Sequence, residues 1–310
     1  MKKRIIITGA TGSIGKKLCN ELIKNGNDIT VFTRNPIKAK SALKGASEYI
    51  YWNYENIDEW KSYINESYAV IHLAGSSIAG KRWNANYKKL IYESRIISTR
   101  NLVNAIEEIN HKPTVFISSS AVGYYGNAGN EKLTENSKNG NDFLSKVCND
   151  WELEAAKVEK FNIRRVSIRT GIVLDKGSGA LKKMLLPYKL FLGGPLGTGK
   201  QWFPWIHIDD LINIYLYALN NSSIDGAINA SSPNPVTMKD FSKRLGKILH
   251  RPYFFNVPLL VLKIAFGEAA ESIVASQRVF PEKLLISGFK FKFDMIEESL
   301  KDLLKSGDTN

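Results

Sequence analysis

The feature that most constrains the fold is a glycine-rich turn near the N-terminus, in the stretch ITGATGSIGKKL. Glycine recurs at every third position directly after the apolar run at 4–8 and directly before a helical pattern. In this context the first glycine allows a tight turn, the second lets the backbone approach a pyrophosphate, and the third lets helix and strand pack closely. The helix amides and dipole would attract the phosphates. The residues expected to bind a dinucleotide here are Gly9, Thr11, Gly12, Ser13, Ile14 and Gly15.

The end of the second predicted strand selects between the two nicotinamide cofactors. An NAD site usually carries Asp or Glu there, which holds the ribose 2′-hydroxyl. This chain has Thr33 and Arg34 instead, and a guanidinium suits a 2′-phosphate. The sequence therefore predicts NADP(H) rather than NAD(H), with Thr33 and Arg34 in the site. The alternative is that Arg34 is an ordinary surface residue.

Short apolar segments alternate with helical patterns through the first half of the chain. Strand-like segments lie at 4–8, 28–33, 48–52, 68–74, 114–119 and 164–170. Helical patterns lie at about 13–25, 84–109 and 142–160. Near-continuous apolar strands separated by helices indicate a parallel sheet covered on both faces. We therefore predict an α/β fold with a Rossmann-type doubly wound parallel sheet, whose NADP-binding domain spans residues 1–170.

The pattern changes after about residue 171. The stretch GALKKMLLPYKLFLGG is helical with an interruption at Pro187, and TMKDFSKRLGKIL is a helix capped by Thr237. DDLINIYLYALNN is a further amphipathic helix, GAINAS is a short strand, and GFKFKF is an extended piece near the end. We expect residues 171–310 to form mainly a smaller C-terminal substrate lobe, with later segments returning to the first domain. This lobe includes a helix-rich module at about 250–310.

Composition limits the other classes of function. The 310-residue chain is 44% apolar and 24% charged, as in ordinary globular proteins, and its net charge is +13. The lysines are dispersed, so we expect a basic surface and no nucleic-acid partner. Two cysteines and four scattered histidines give no metal site and no disulfide framework. The first apolar run is too short for a signal peptide and no segment is long enough to span a membrane, so we expect a cytoplasmic protein without a membrane partner.

Several motifs resemble the extended, NAD-dependent epimerase/dehydratase-like branch of the short-chain dehydrogenase/reductase superfamily. They are TGATGSIG, HLAG at 72–75, SSSAVGYYG at 118–126 and PWIHIDDL at 204–211. Closer markers resemble the atypical epimerase family proteins, which carry a C-terminal helical domain of unknown function. These markers are CNDWE at 148–152, RTGIVL at 169–174 and the long run at 186–211. The resemblance spans nearly the whole chain.

The resemblance implies further cofactor contacts. Family members contact the cofactor from the end of the fourth strand and from an arginine in the long helix. These positions correspond here to Leu73, Ala74, Gly75 and Arg95. Val173 corresponds to a backbone contact near the nicotinamide. Simple strand packing is the alternative for Leu73, Ala74 and Val173.

The catalytic motif of the superfamily is incomplete in this chain. Its members use a serine with Tyr-x-x-x-Lys, in which the lysine holds the nicotinamide ribose and lowers the pKa of the tyrosine that transfers a proton. If Lys146 is that lysine, the tyrosine position holds Asp142. An ionised carboxylate cannot donate a proton as a phenol does. Lys146 is therefore either a ribose-binding lysine without its partner or an incidental lysine on a helix surface.

Other hydroxyl groups follow the fifth strand. Ser120 corresponds to the superfamily serine, and Tyr124 and Tyr125 lie where strand ends face the cofactor cleft. We predict that one of these tyrosines, together with Ser120, polarises a substrate carbonyl. Aromatic packing at the mouth of the pocket is the alternative. His207 is expected to be structural.

The stretch GPLGTGKQ at 194–201 imitates a phosphate-binding P-loop. A true P-loop needs Ser or Thr after the lysine, a strand before and a helix after. Here Gln201 follows, and Pro204 opposes a helix immediately downstream. We therefore exclude ATP or GTP hydrolysis and expect a loop over the substrate cleft.

Together these features predict an NADP(H)-dependent oxidoreductase or epimerase-like enzyme that acts on an unidentified small molecule by hydride transfer. One alternative is a non-catalytic NADP(H)-binding sensor or regulator. Another is a basic protein that binds nucleic acid and retains a nucleotide-binding fold. Relatives often dimerise through paired long helices, so 84–109 and 142–160 form a potential homodimer interface.

Overall fold

The structure, a computed structural model, describes residues 2–305. Residues 306–310, the end of the predicted C-terminal module, lie outside the described residues. The strands are β1 (Arg4–Thr8), β2 (Asp28–Thr33), β3 (Glu48–Tyr51), β4 (Ala69–His72), β5 (Val115–Ala121), β6 (Lys132–Leu133), β7 (Arg164–Thr170), β8 (Ile172–Asp175), β9 (Trp202–Phe203), β10 (Trp205–His207), β11 (Gly226–Ala230), β12 (Val236–Thr237) and β13 (Arg278–Val279).

Helices connect most of these strands. They are α1 (Ser13–Lys24), α2 (Pro36–Ala42), α3 (Ala85–Glu108), α4 (Phe143–Ala156), α5 (Gly179–Lys189), α6 (Ile208–Asn220), α7 (Met238–Leu249), α8 (Leu259–Phe266), α9 (Ala269–Ile273), α10 (Glu282–Ile286) and α11 (Ile296–Lys305). Short 3-10 helices lie at Ile57–Glu59, Lys61–Ile64, Val122–Tyr125 and Lys157–Phe161. Within residues 2–305, no helix combines the length and apolar character needed to cross a membrane.

Seven strands form one sheet in the order β11–β7–β5–β4–β1–β2–β3. Every neighbouring pair in this sheet is parallel. The order reverses between β1 and β4, and such a reversal is where open α/β sheets bind ligands, outside the carboxyl ends of the strands. The sheet confirms the predicted Rossmann-type, doubly wound fold.

Both faces of the sheet are buried, which explains the continuous apolar runs of its strands. Successive side chains of β1 point to opposite faces. Ile5 and Ile7 join the core that includes Leu18 of α1, whereas Ile6 joins the core that includes Leu102 of α3. The sheet is therefore the middle of three layers.

Of the strands after residue 171 in the described part of the chain, one joins the main sheet, and the separate C-terminal lobe stays a prediction. Strand β11 pairs with β7 at the edge of the sheet. The other late strands make short pairs: β8 with β10, β9 with β12, and β13 with β6. The predicted helix cap at Thr237 is confirmed, because its side chain accepts a hydrogen bond from the Asp240 amide. Pro187 does not break α5, which ends two residues later at Lys189.

The predicted extended piece GFKFKF is not a strand. The backbone N–H groups of Lys292 and Phe293 donate instead to the two carboxylate oxygens of Asp210, at 2.7 Å and 2.9 Å. Asp210 lies fully buried in the first turn of α6. The Asp210 side chain therefore accepts the backbone hydrogen bonds that a neighbouring strand would otherwise accept from this segment.

Candidate functional site

The glycine turn joins β1 to α1 beside the point where the strand order reverses. Gly9 has a φ of +69°, and a Cβ there would lie 2.7 Å from the backbone carbonyl carbon of Leu73. A Cβ on Gly15 would lie 2.7 Å from the Ala10 Cα. These close approaches require glycine at both positions, because the turn touches the end of β4 and α1 touches the turn.

The start of α1 is open. Gly12 is its N-cap, and in the described part of the chain no side chain caps it and no acid lies in its first turn. Thr11 and Ser13 are exposed, and Ile14 is half-buried. The first amides and the positive dipole end therefore remain available for an anion, as phosphate-binding helix starts require.

The carboxyl end of β2 carries no acid. Thr33 ends the strand, and its hydroxyl accepts a hydrogen bond from the Asn35 amide at 3.3 Å. Arg34 is exposed and takes part in none of the ion pairs found among residues 2–305. Its guanidinium is therefore free to pair with a phosphate.

The end of β4 is held against β1 by Thr8. The Leu73 amide donates to the Thr8 carbonyl at 3.3 Å, and the Ala74 amide donates to the Thr8 hydroxyl at 3.2 Å. The same hydroxyl lies 2.7 Å from the His72 Nδ1. Burial lowers the pKa of His72 to about 3, so this imidazole is neutral and structural.

Arg95 lies over the turn that follows β4. A Cβ on Gly75 would be 3.1 Å from the Arg95 Cζ. The guanidinium donates to the Ile91 carbonyl at 3.0 Å and lies 5.3 Å from the Trp151 ring centroid. Burial lowers the pKa of Arg95, and no carboxylate among the described residues compensates its charge. A partly buried, unpaired cation beside a glycine fits the phosphate or ribose end of a dinucleotide.

Val173 lies in β8, where it pairs with Ile206 of β10. Its half-buried side chain packs against the same core as Ile14 and Leu73. The structure therefore brings the predicted cofactor residues to the carboxyl ends of neighbouring strands.

Ser120, near the end of β5, belongs to a buried charged cluster. Its hydroxyl donates to the Glu152 Oε1 at 2.6 Å. Arg169 of β7 binds the same carboxylate in a bidentate manner, with Nε and one terminal nitrogen each at 2.8 Å. Burial disfavours the charge of Arg169, but hydrogen bonds and attraction from Glu152 outweigh it and raise the Arg169 pKa. The carboxylate and the guanidinium are thus locked together next to Ser120.

Tyr125 is enclosed by this cluster. The side chain is 3% exposed, and its hydroxyl lies 2.7 Å from the Asn229 Oδ1 and 2.9 Å from the Thr134 carbonyl oxygen. It also accepts a hydrogen bond from Arg169 at 3.0 Å. Burial raises the pKa of Tyr125 to about 12. A hydroxyl with these partners has a structural role, and nothing in its geometry supports proton transfer to a substrate.

Tyr124 is in a different position. Its ring covers Arg169, whose Cζ lies 3.5 Å from the ring centroid, and packs edge-on against Tyr125. The side chain is half-buried. Within residues 2–305, no group hydrogen-bonds its hydroxyl. Of the two predicted tyrosines, Tyr124 is the one whose hydroxyl has no hydrogen-bond partner among the described residues.

Lys146 points away from Ser120, on the outer surface of α4. Its ammonium donates to the Asp150 Oδ2 at 2.7 Å, and its side chain is 67% exposed. The hydrogen bond with Asp150 raises the pKa of Lys146. Asp142 is the N-cap of α4 and accepts from the Ser145 amide at 2.8 Å. Both residues of the supposed motif thus have structural explanations, and the ribose-binding role for Lys146 gains no support.

The residues of α4 that do face Ser120 are Cys148 and Glu152, which have the four-residue spacing of Tyr-x-x-x-Lys. Burial raises the pKa of the Cys148 thiol to about 12. Sequence reasoning missed Glu152 and Arg169 as members of the site. Two motifs in the sequence could have indicated them: CNDWE ends with Glu152, and RTGIVL begins with Arg169.

Two other predictions concern residues outside this cluster. His207 caps α6 by accepting the Asp209 amide at 3.0 Å, and it packs on Phe293 with ring centroids 3.9 Å apart. The stretch GPLGTGKQ is a loop that leads into β9, with no helix after Lys200. Its Gln201 side chain donates to the Leu196 carbonyl at 2.7 Å. These positions agree with a structural histidine and with a loop that is not a P-loop.

Among the described residues, no group of three or more His, Cys, Asp or Glu side chains is arranged to hold a metal ion.

The chain is similar to known proteins over nearly its whole length. Residues 5–230 match the model of the NAD dependent epimerase/dehydratase family, and residues 257–303 match a domain of unknown function, DUF1731. The chain is 39% identical over 303 residues to the chloroplastic epimerase family protein SDR39U1 homolog of Arabidopsis thaliana, covering 97% of this chain and 86% of that protein. It is 37% identical to the epimerase family protein YfhF of Bacillus subtilis, covering 97% of each.

Solved structures are similar over the same length. The human epimerase family protein SDR39U1, crystallised with NADPH, is 31% identical with a TM-score of 0.87, covering 97% of this chain and 99% of that one. UDP-glucuronic acid 4-epimerase from Bacillus cereus, at 19% identity and a TM-score of 0.77 over 98% of this chain and 99% of that one, shares the fold. The predicted resemblance is confirmed: the chain belongs to the NAD dependent epimerase/dehydratase family.

Proposed function

We propose that this protein is an NADP(H)-dependent oxidoreductase or epimerase-like enzyme that acts on a small molecule by hydride transfer at a hydroxyl- or carbonyl-bearing carbon. One observation carries the proposal. The same edge of the sheet holds both an open dinucleotide cradle, at Gly9 to Gly15, and a serine that is hydrogen-bonded to a buried carboxylate, Ser120 with Glu152.

The residues at the cradle fit NADP(H). The open start of α1 would receive the pyrophosphate, Arg34 would pair with the 2′-phosphate, and Arg95 would contribute a second positive charge. The NADPH in the human relative supports the phosphorylated form of the cofactor. When bound, NADP(H) supplies or accepts the hydride.

Hydrogen-bond accounting assigns different roles to the two substrate-facing hydroxyls. Ser120 has one proton, and it is committed to Glu152 at 2.6 Å. Ser120, which is 3% exposed, therefore has only lone pairs left to offer and is suited to accept a hydrogen bond from a substrate hydroxyl. Tyr124 has a free hydroxyl and is suited to donate to a substrate oxygen. We propose Tyr124 rather than Ser120 as the group that polarises a carbonyl.

A non-catalytic NADP(H)-binding protein is the second candidate. The observation that favours it is the surface of α4 facing Ser120, which carries Cys148 and Glu152 in place of a tyrosine and a lysine. Neither supplies the phenol–ammonium pair with which the superfamily moves protons. Such a site could retain cofactor binding without turnover.

Calorimetry tests the cofactor part of the proposal. We expect the protein to bind NADPH at least tenfold more tightly than NADH, and Arg34→Glu to abolish that preference. Lys146→Met changes a similar positive charge on the outer surface of α4 and serves as the matched control, with unchanged NADPH affinity. Equal affinities for NADPH and NADH would contradict the assignment of Arg34.

Turnover tests the catalytic part. NADPH oxidation with a carbonyl library and NADP⁺ reduction with an alcohol and sugar library cover both directions of the reaction. We expect steady turnover on at least one compound, with Ser120→Ala and Tyr124→Phe each slower by about 10²-fold or more, the usual contribution of acid–base groups. Tight NADPH binding without turnover in either direction would favour the non-catalytic alternative.

The remaining predictions on partners concern assembly and nucleic acid. Pairing of α3 and α4 between two copies stays a prediction, as does the lack of a nucleic-acid partner. A cytoplasmic location also stays a prediction.

A further inference from the structure

The smaller lobe exposes an apolar surface, here called the apolar patch. It is defined by six side chains, each 55–70% exposed: Leu190, Phe191, Leu192, Phe254, Leu260 and Ile264. Half of a large apolar side chain is roughly 100 Å², so six of them equal the largest patches found on ordinary monomers, about 300–600 Å². Patches of this size mark interaction surfaces.

Backbone contacts bring together the two segments that carry the patch. The Phe255 amide donates to the Gly193 carbonyl at 3.1 Å, and Leu196 forms a parallel bridge with Val257. The loop after α5 therefore runs beside the segment that precedes α8. The Phe191 ring also lies against Arg251, with the Cζ at 4.5 Å from the ring centroid.

Helix α8 extends the patch. Of its eight residues, only Leu262 is buried. Leu260 and Ile264 are four residues apart and share one exposed face. Lys263 lies beside that face and pairs with Glu271 at 2.9 Å. Helices with an apolar exposed face are typical of segments that lie at the boundary between water and a lipid bilayer.

The segments that carry the patch are basic, although Glu271 of α9 pairs with one of their lysines, Lys263. The segments 179–200 and 247–267, which carry the patch, contain seven Lys or Arg residues and no Asp or Glu. A two-fold contact between copies would place this surface against itself and bring like charges together. An anionic surface is complementary to the same combination of apolar and basic side chains.

We propose that the apolar patch attaches the protein peripherally to an anionic lipid bilayer. The exposed leucines, the two phenylalanines and the isoleucine enter the boundary between headgroups and acyl chains, and the surrounding lysines contact lipid phosphates. This attachment needs no membrane-spanning helix and is independent of the function of the dinucleotide site. The expectation that the protein has no membrane partner is untested, and this proposal is the alternative to it.

Co-sedimentation of the full chain with vesicles tests the proposal. The vesicles contain either phosphatidylcholine alone or phosphatidylcholine mixed with phosphatidylglycerol. We expect binding to the mixed vesicles, at least tenfold weaker binding to the neutral ones, and weakening with added salt. The double variant L260S/I264S should bind the mixed vesicles at least tenfold more weakly.

A matched control removes the same amount of apolar surface elsewhere. Ile37 on α2 and Ile286 on α10 are 86% and 81% exposed, so I37S/I286S should bind vesicles like the unmodified protein. Sedimentation velocity of each variant reports self-association. Absence of binding to the mixed vesicles, or equal loss in both double variants, would overturn the proposal. So would an oligomer in the unmodified protein that L260S/I264S dissociates, because the occupant would then be a second copy.

Discussion

Replacing Glu152 by alanine tests the buried cluster beside Ser120. The substitution removes the acceptor of three hydrogen bonds, two from Arg169 at 2.8 Å and one from Ser120 at 2.6 Å. Among the described residues Arg169, 4% exposed, then keeps the Tyr125 hydroxyl and the Glu135 carbonyl as hydrogen-bond acceptors, and the Tyr124 ring against its guanidinium. Breaking one side of a buried ion pair costs about 3–5 kcal/mol because it leaves an uncompensated charge. We expect a loss of that size in the free energy of unfolding.

A double-mutant cycle measured by urea unfolding separates this effect from simple truncation. The variant E152A/R169M removes both charges, so its loss should be smaller than the sum of the single losses, with a coupling of about 2 kcal/mol. The exposed pair Lys89–Glu93, at 3.7 Å, gives the control. Lys89→Ala should cost about 0.5 kcal/mol or less. A loss below about 1 kcal/mol for E152A, where a locked buried pair should cost about 3, would refute the reasoning.

Three further predictions concern the turn, the imidazole of β4 and the two tyrosines. Gly15→Ala should weaken NADPH binding by more than tenfold in calorimetry, since the added Cβ forces the helix away from a turn backbone only 2.7 Å distant. The pKa of His72 is lowered to about 3 by burial, so its contribution to stability is complete above pH 6.5 and is lost as pH falls towards 3. Unfolding between pH 7 and pH 4 should show a loss of about 3 kcal/mol from this group, and His72→Asn should flatten the profile. Tyr125→Phe should lower the free energy of unfolding by about 1–3 kcal/mol, because buried partners lose their hydrogen bonds, whereas Tyr124→Phe should leave it unchanged.

The layered sheet could be predicted from sequence because its signals are local. Several strands of the main sheet, β1 and β4 among them, are short apolar runs, and the glycine spacing identifies the first crossover. The bounds of α1 and α3 follow from helical patterns that match the structure to within a residue. The piece GFKFKF misled because its alternation resembles a strand, while its amides bond to Asp210, a residue 82 positions earlier in the chain.

The buried cluster beside Ser120 could be predicted only in part. The position of Ser120 near the end of β5 predicts its place in the site. Glu152 and Arg169 lie 17 residues apart on two different elements, and no local pattern predicts that they form an ion pair. The position of Lys146 could have been predicted from the helical period of α4. The buried residues Val147, Cys148, Trp151 and Ala155 recur at helical spacing and define the inward face of α4. That period already places Lys146 on the opposite face, whereas matching a four-residue motif ignores the rotation of the helix.

The carboxylate of Asp210 has a consequence for where the chain can be cut. Its two amide donors come from Lys292 and Phe293, and the Ser232 hydroxyl also bonds to the Asp294 carbonyl at 2.9 Å. A truncated protein that stops at residue 256, just before the DUF1731 match, would lack both amide donors. The carboxyl group of Asp210 would then remain in the interior without these hydrogen bonds. The region that matches DUF1731 therefore supplies the donors for a buried carboxylate that lies within the 5–230 match, so the two matched regions are joined in the interior.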